Sequence, residues 1–108
     1  MNEREPVVYI SGPITDVPRY WEAFEEAEDD LVVSGFIPLN PARLPRGLSN
    51  EQYMTINIAQ IHAADAIYFL PGSYKSAGAV LEHHYASYIG KPTFHNINEL
   101  KEFFEIKK

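Results

Sequence analysis

Short apolar segments alternate with longer amphipathic segments along the chain, and this alternation limits the fold more than any other feature. The apolar segments cover residues 6–11, 36–40, 66–70 and 92–95. The segments with helical spacing cover residues 18–34, 49–63, 76–88 and 98–106. Short buried strands separated by helices are typical of a parallel sheet with helices on both faces. The sequence therefore predicts an α/β fold, a three-layer, doubly wound (flavodoxin/Rossmann-like) four-stranded sheet.

The first two helices carry further local signals. In the first, Trp21, Phe24 and Leu31 recur at helical spacing, and Gly35 provides a natural stop. In the second, Ser49 with Gln52 three residues later resembles a capping box. These signals place the two helix boundaries.

The strand order follows from a proline. Pro38 lies inside the second apolar segment, and proline cannot donate a hydrogen bond to a sheet, so this strand is expected at an edge. The predicted order is 2-1-3-4, with the topological switch point between strands 1 and 3. Ligands of open α/β sheets bind at the carboxyl ends of the strands at that point. There the segments 11–15 and 70–78 are expected to meet.

Composition excludes several classes of protein and site. The 108 residues are the size of a single domain, expected to span residues 1–108. With no cysteine, disulfide frameworks, zinc–thiolate sites and thiol nucleophiles are excluded. No apolar run approaches the roughly 20 residues that cross a bilayer, and the charged N-terminal residues 1–6 do not resemble a signal peptide. We expect a cytoplasmic protein without membrane contact.

Charge and motifs narrow the ligand class. The net charge of −6 argues against binding to duplex nucleic acid, although a helix N-terminus can still bind a small phosphate locally. The four histidines lack metal-ligand spacing, and neither a P-loop nor a dinucleotide-binding glycine motif is present. We therefore expect no metal and no cofactor. Arg43, Arg46 and Lys75 are candidates for positive charge near the cleft.

The segment from Ser76 to Glu82 is the strongest candidate for chemistry. Ser76 suits a helix N-cap, and Gly78 lets a ligand approach the first turn, whose free N–H groups favour an anion. Glu82 lies almost two turns further along, about one sugar length away. A carboxylate there can attack an anomeric carbon and form a covalent glycosyl-enzyme. The alternative is that Glu82 is a solvated helix residue.

Other candidates follow the strands. Ser11 and Gly12 lie in the turn after strand 1, where a ligand must come close; Tyr9 is either a site residue or plain core. Asp65 opens strand 3 and is either a buried functional carboxylate or a turn residue. Asn40 ends strand 2, where Asn-Pro is also an ordinary turn.

Together these segments resemble a known family. Residues 9–15 (YISGPIT), 40–42 (NPA), 65–72 (DAIYFLPG) and Ser76-Ala77-Gly78 with Glu82 are similar to the nucleoside 2-deoxyribosyltransferase-like family, specifically its small phage and bacterial branch catalogued as a domain of unknown function. The resemblance spans about residues 7 to 95. It implies cleavage of the N-glycosidic bond of a nucleoside or nucleoside 5′-monophosphate, with water giving hydrolysis and a second base giving transfer.

The resemblance also implies residue roles. Glu82 would attack C1′ of the (deoxy)ribosyl group, and Asp65 would bind or protonate the leaving base. Ser76 and the strand-1 turn would hold the phosphate. Together with the candidates above, the residues expected to bind substrate are Tyr9, Ser11, Gly12, Ile14, Thr15, Asn40, Ser76 and Gly78. Family sites often borrow a residue from a neighbouring subunit.

Two other functions compete with this one. A phosphoribohydrolase with a Pro-Gly-Gly-x-Gly-Thr loop is one, although Leu70-Pro71-Gly72-Ser73 only begins that pattern. A non-catalytic nucleotide-binding or regulatory module on the same fold is the other.

The apolar and aromatic residues late on helix 3 and along helix 2 predict a symmetric homodimer or higher even oligomer, with a neighbour completing the cleft. These residues are Tyr53, Met54, Ile61, Tyr85, Tyr88 and Ile89.

Overall fold

The strands and helices occur in the predicted alternating order. A computed structural model describes residues 5–106 of the chain. The strands are β1 (Val7–Ser11), β2 (Ile37–Leu39), β3 (Ala66–Phe69) and β4 (Thr93–Phe94). The helices are α1 (Tyr20–Val33), α2 (Asn50–Ala63), α3 (Ala77–Tyr88) and α4 (Ile97–Phe104). Single 3₁₀ turns at Pro41–Arg43 and Ser73–Lys75 precede α2 and α3.

The sheet is parallel throughout, in the order β2-β1-β3-β4. Tyr9 of β1 lies between Leu39 of β2 and Ile67 of β3. The predicted strand order is therefore confirmed, with the proline-containing strand β2 at an edge. Because β1 and β3 are central neighbours, the loops that follow them meet at one end of the sheet.

Each face of the sheet packs against two helices. Alternate side chains of a strand point to opposite faces, so Val8 and Ile10 join one core while Tyr9 joins the other. The first core also contains Phe24 and Leu31 of α1 and Leu100 of α4. The second contains Ile67, Ile61 of α2 and Ala86 of α3. This arrangement confirms the three-layer, doubly wound α/β fold.

The predicted helix boundaries have the expected caps. Ser49 Oγ accepts from Gln52 N at 3.0 Å and Gln52 Oε1 accepts from Ser49 N at 2.9 Å, which completes the capping box. Gly35, after α1, has a φ of 96°, a conformation that favours glycine. Between residues 5 and 106, none of the helices has the length and apolar character that a membrane span requires.

Candidate active site

A cavity of about 430 Å³ opens at the carboxyl end of the sheet. Its walls come from the loop after β1, the first turns of α3 and one face of α2. The two segments predicted to meet at the switch point do meet here. Seven of the predicted site residues line this cavity: Tyr9, Gly12, Ile14, Thr15, Ser76, Gly78 and Glu82.

Glu82 is the buried polar centre of the cavity. Its side chain lies on α3 and is only 4% exposed, so it is not the solvated helix residue of the alternative interpretation. Ser11 Oγ donates to Glu82 Oε1 at 2.7 Å, and Tyr9 OH donates to Oε2 at 3.0 Å. Asn57 Nδ2 donates to the same Oε2 at 3.2 Å. Donors from β1 and α2 therefore hold the carboxylate in one orientation.

Burial controls the electrostatics of this group. Burial raises the pKa of Glu82 above its ordinary value, and the hydrogen bonds from Ser11, Tyr9 and Asn57 oppose that rise. The pKa of Tyr9 is raised strongly by burial and by the neighbouring carboxylate, so the phenol keeps its proton and remains a donor. The result is a buried carboxyl group whose ionised form is stabilised by three hydrogen-bond donors, and in that form it can act as a nucleophile.

The first turn of α3 forms a second part of the site. Ser76 caps the helix by accepting from Ala79 N at 3.3 Å, and its carbonyl accepts from Val80 N at 2.9 Å. The N–H groups of Ala77 and Gly78, which begin the helix, have no acceptor within the described part of the chain. An added Cβ at Gly78 would have Ser76 Oγ, 3.9 Å away, as its nearest contact. This turn therefore offers two donors and open space to a ligand.

Gly12 brings the loop after β1 close to the end of β3. A Cβ at this position would lie 2.9 Å from Leu70 Cδ1 and 3.0 Å from Leu70 Cβ. The absence of a side chain lets the two loops approach each other beside the cavity. Packing therefore favours glycine here, while Ile14 and Thr15 further along the loop line the cavity.

Asp65 does not lie at this cavity, contrary to the expectation of a base-binding carboxylate. It precedes β3 at the amino end of the sheet, where its Oδ2 accepts from Val7 N at 2.8 Å. Four residues of strand, roughly 13 Å, separate that position from Ser11 beside Glu82. The order of the strands explains the difference: a residue that opens a parallel strand lies at the end opposite the switch point.

Asn40 is also outside the cavity. Its Oδ1 accepts from Ala42 N at 2.9 Å and caps the 3₁₀ turn, and its Nδ2 donates to Glu28 Oε1 at 3.0 Å. The ordinary-turn interpretation is therefore the one this geometry supports, because both polar ends of the side chain bind protein atoms. Asn40 instead positions Pro41, which lines the cavity.

Asn57 is a site residue that the sequence analysis missed. It lies on α2 between Met54 and Ile61, with its Nδ2 on Glu82 and its Oδ1 buried without a hydrogen-bond partner among residues 5–106. Asparagine is a poor helix former, and this one interrupts a stripe of inward apolar residues. A polar residue within an apolar helical stripe was the signal that could have identified it.

An apolar and aromatic wall completes the cavity and was missed as well. Phe24 was expected in the helix-1 core, and Tyr53 and Met54 were expected at a subunit contact. The wall consists of Tyr20, Phe24, Leu44, Tyr53, Met54 and Leu81. Tyr53 OH donates to Pro45 O at 2.7 Å and fixes the loop before α2. Of the other residues expected at a subunit contact, Ile61 is fully buried in the core and Tyr88 is 89% exposed.

The described residues give no structural sign of a metal site. No group of three or more histidine, aspartate or glutamate side chains is arranged to hold an ion within residues 5–106. The cavity lining supplies one carboxyl group, hydroxyl and amide groups, and helix N–H donors.

Comparisons with known proteins agree with this fold. A family model described as "Domain of unknown function (DUF4406)" matches residues 6–95. No curated protein matches the chain. The chain is similar in structure to a 2-deoxyribosyltransferase from the psychrotolerant bacterium Bacillus psychrosaccharolyticus, with a TM-score of 0.65 and 20% sequence identity over 81% of this chain and 69% of that one. At that identity the likeness shows a shared α/β fold.

Proposed function

The chain belongs to the family described as "Domain of unknown function (DUF4406)". Since that description leaves the activity open, we propose an activity from the residues of the site. We infer that the protein cleaves the N-glycosidic bond of a nucleoside or nucleoside 5′-monophosphate, or transfers the sugar to a second base. The observation on which this proposal depends is Glu82, a buried carboxylate that lines the cavity and accepts three hydrogen bonds. The likeness of the chain in fold to a 2-deoxyribosyltransferase supports the same reaction class.

The reaction has two steps on Glu82. A carboxylate oxygen attacks C1′ of the sugar, the C1′–N bond breaks, and its electron pair leaves with the base, which takes up a proton from water. The resulting glycosyl ester is then attacked at C1′ by water or by a nitrogen of a second base, and either nucleophile loses a proton to the solvent. Either attack releases the carboxylate again.

The neighbours of Glu82 act as positioning residues. Ser11 donates one hydrogen bond to Oε1 of Glu82, and Tyr9 and Asn57 each donate one to Oε2. Their hydrogen bonds favour the ionised form, which is the nucleophile, against the effect of burial. Precise orientation of the attacking group contributes to the rate because the reacting atoms must be close and aligned.

The lining of the cavity supports an arrangement for each part of a nucleoside. The sugar 5′-end would lie at the first turn of α3, near Ser76 and Gly78, and beside Ile14 and Thr15. Five residues separate Ala77 from Glu82, a rise of about 7.5 Å along the helix, which suits a pentose between the two. The flat base would pack on the apolar and aromatic wall.

Base release is the test of this function. Purified protein is incubated with a panel of nucleosides and monophosphates, with and without a second base, and the products are separated by chromatography. We expect free base from the wild type and a loss of several orders of magnitude in Glu82→Gln. The control is Glu26→Gln, which makes the same change at an exposed position on α1. Binding without base release would instead identify a non-catalytic nucleotide-binding module.

We also propose a symmetric homodimer or higher even oligomer in which a neighbour completes the cavity. Tyr88 and Leu81 lie seven residues apart on the same side of α3, 89% and 51% exposed, and Leu81 lines the cavity. A neighbour covering this side would bury both and close the open part of the site. Light scattering coupled to gel filtration tests this, and a fully active species of 12.3 kDa, the mass of one chain, would contradict it.

A further inference from the structure

Within residues 5–106, the carboxyl group of Glu82 is held by uncharged donors. Tyr9, Ser11 and Asn57 donate the three hydrogen bonds to its oxygens. Burial raises the pKa of Glu82 and these bonds oppose that rise, with no cation contributing among the described residues. Buried charges in proteins are normally paired. The ionised form of Glu82 therefore has room for a cationic partner, which a ligand could supply.

The cationic side chains nearest in sequence to the cavity walls are engaged elsewhere. Arg43 pairs with a glutamate of α1, and the Arg46 guanidinium lies 4.5 Å from the centre of the Trp21 ring. Lys75 has its Nζ 5.5 Å from the centre of the Tyr74 ring. Within the described part of the chain, the lining of the cavity includes no arginine, lysine or histidine that would repel a cationic ligand.

Aromatic rings lie on the same cavity as Glu82. Tyr20, Phe24 and Tyr53 belong to the apolar and aromatic wall. The Tyr20 and Phe24 rings pack edge to face, with their centres 6.4 Å apart. The face of an aromatic ring attracts a cation within about 6 Å. The wall and Glu82 together therefore favour a ligand that is both flat and positively charged.

The supply of protons points to the same kind of ligand. A neutral base leaves its sugar only when it gains a proton. The Tyr9 hydroxyl donates to Glu82, and burial with the neighbouring carboxyl raises its pKa strongly, so it is a poor acid. The Tyr53 hydroxyl donates to Pro45 O at 2.7 Å. A heterocycle that is already cationic at the glycosidic nitrogen leaves as a neutral molecule and needs no acid.

We propose that the substrate of this site is a nucleoside whose heterocycle is cationic at the glycosidic nitrogen, as in a pyridinium nucleoside. This inference rests on the proposed N-glycosidic cleavage and names its substrate class. A Glu82 oxygen attacks C1′, the C1′–N bond breaks, and its electron pair neutralises the pyridinium nitrogen. The preference does not depend on the charge of Glu82 before binding, because a bound cation itself favours the ionised carboxylate.

A pair of ring compounds tests the charge preference without any reaction. N1-methylnicotinamide is a cation and nicotinamide is its uncharged counterpart, and neither has a glycosidic bond. Calorimetric titration should show about tenfold or more tighter binding of the cation, through its attraction to Glu82. The difference should disappear in Glu82→Gln and persist in Glu26→Gln, the same change at an exposed position on α1. No tighter binding of the cation by the wild type, or a preference that survives in folded Glu82→Gln, would overturn the inference.

Turnover tests the supply of protons. Base release from nicotinamide riboside is compared with base release from uridine and adenosine. A positioned general acid contributes about a hundredfold or more, so kcat/KM for the pyridinium nucleoside should exceed that for either neutral nucleoside by at least that factor. Because a pyridinium–sugar bond also breaks more readily unaided, support requires both this ratio and the binding difference.

The outcomes separate the two proposals. A neutral nucleoside cleaved as efficiently as nicotinamide riboside would overturn the inference and leave N-glycosidic cleavage standing. If none of the three compounds releases its base, the proposed activity fails, and the binding pair alone then decides whether the cavity takes a cationic ring.

Discussion

Replacing Tyr9 by phenylalanine removes one hydrogen bond from Glu82 and changes little else. The Tyr9 side chain is fully buried, and its hydroxyl donates to Glu82 Oε2 at 3.0 Å. A hydrogen bond to a charged group contributes roughly 1.5–3 kcal/mol. Since about 1.4 kcal/mol is a factor of ten, the ratio of protonated to ionised Glu82 at a fixed pH should rise by about one to two orders of magnitude.

The sign of the change follows from the charge. The lost donor favoured the carboxylate, so the pKa of Glu82, already raised by burial, rises further in Tyr9→Phe. Carbon-13 NMR of the labelled glutamate carboxyl groups follows the titration without requiring activity, and the acid limb of base release should move to higher pH in parallel. Tyr85→Phe is the control, because that hydroxyl contacts His62 outside the cavity. An unchanged titration in folded Tyr9→Phe would refute the account of how Glu82 is held.

Three further predictions concern stability and can be measured by urea denaturation. Gly12→Ala should lower the free energy of unfolding by about 1–3 kcal/mol, since its Cβ would lie 2.9 Å from Leu70 Cδ1. Gly78→Ala should raise it by roughly 0.5–1 kcal/mol, because the added Cβ has space, while narrowing the cavity and weakening ligand binding. Glu82→Gln should stabilise the protein more at pH 7 than at pH 4: burial raises the pKa of Glu82 above its unfolded value, so the wild type loses stability as pH rises through that pKa. An equal effect at both pH values would contradict the buried, charged state of Glu82.

Much of the fold could be predicted because the signals for it are local. Pro38 predicted that β2 is an edge strand because proline has no N–H to donate to a neighbouring strand. Ser49 and Gln52 predicted the start of α2 because their side chains accept hydrogen bonds from each other's backbone N–H groups. Once one edge strand and the alternation of strands and helices were given, the order of the sheet followed. The helix and strand ends differ from the prediction by one or two residues, as is usual where helix termini fray.

The site residues in the segments that follow β1 and β3 were predictable from the sequence. The site residue that comes from another helix, α2, was not. The segments after β1 and β3 meet at the switch point, so Gly12, Ser76 and Glu82 were found from topology and residue type. Asn57 comes from α2, whose rotation relative to α3 depends on packing that no local spacing encodes. Asp65 was misplaced because its residue type suggested chemistry while its position, at the start of β3, puts it at the other end of the sheet.

The most direct measurement of the central claim is the mass of the protein during turnover. Protein mixed with a nucleoside substrate is quenched in acid, and the intact mass is recorded, followed by fragmentation of the peptide that contains Glu82. The account predicts the added mass of one pentosyl or deoxypentosyl group, located on Glu82 and absent from Glu82→Gln. Base release with undiminished rate in Glu82→Gln, or a sugar adduct on a different residue, would contradict it.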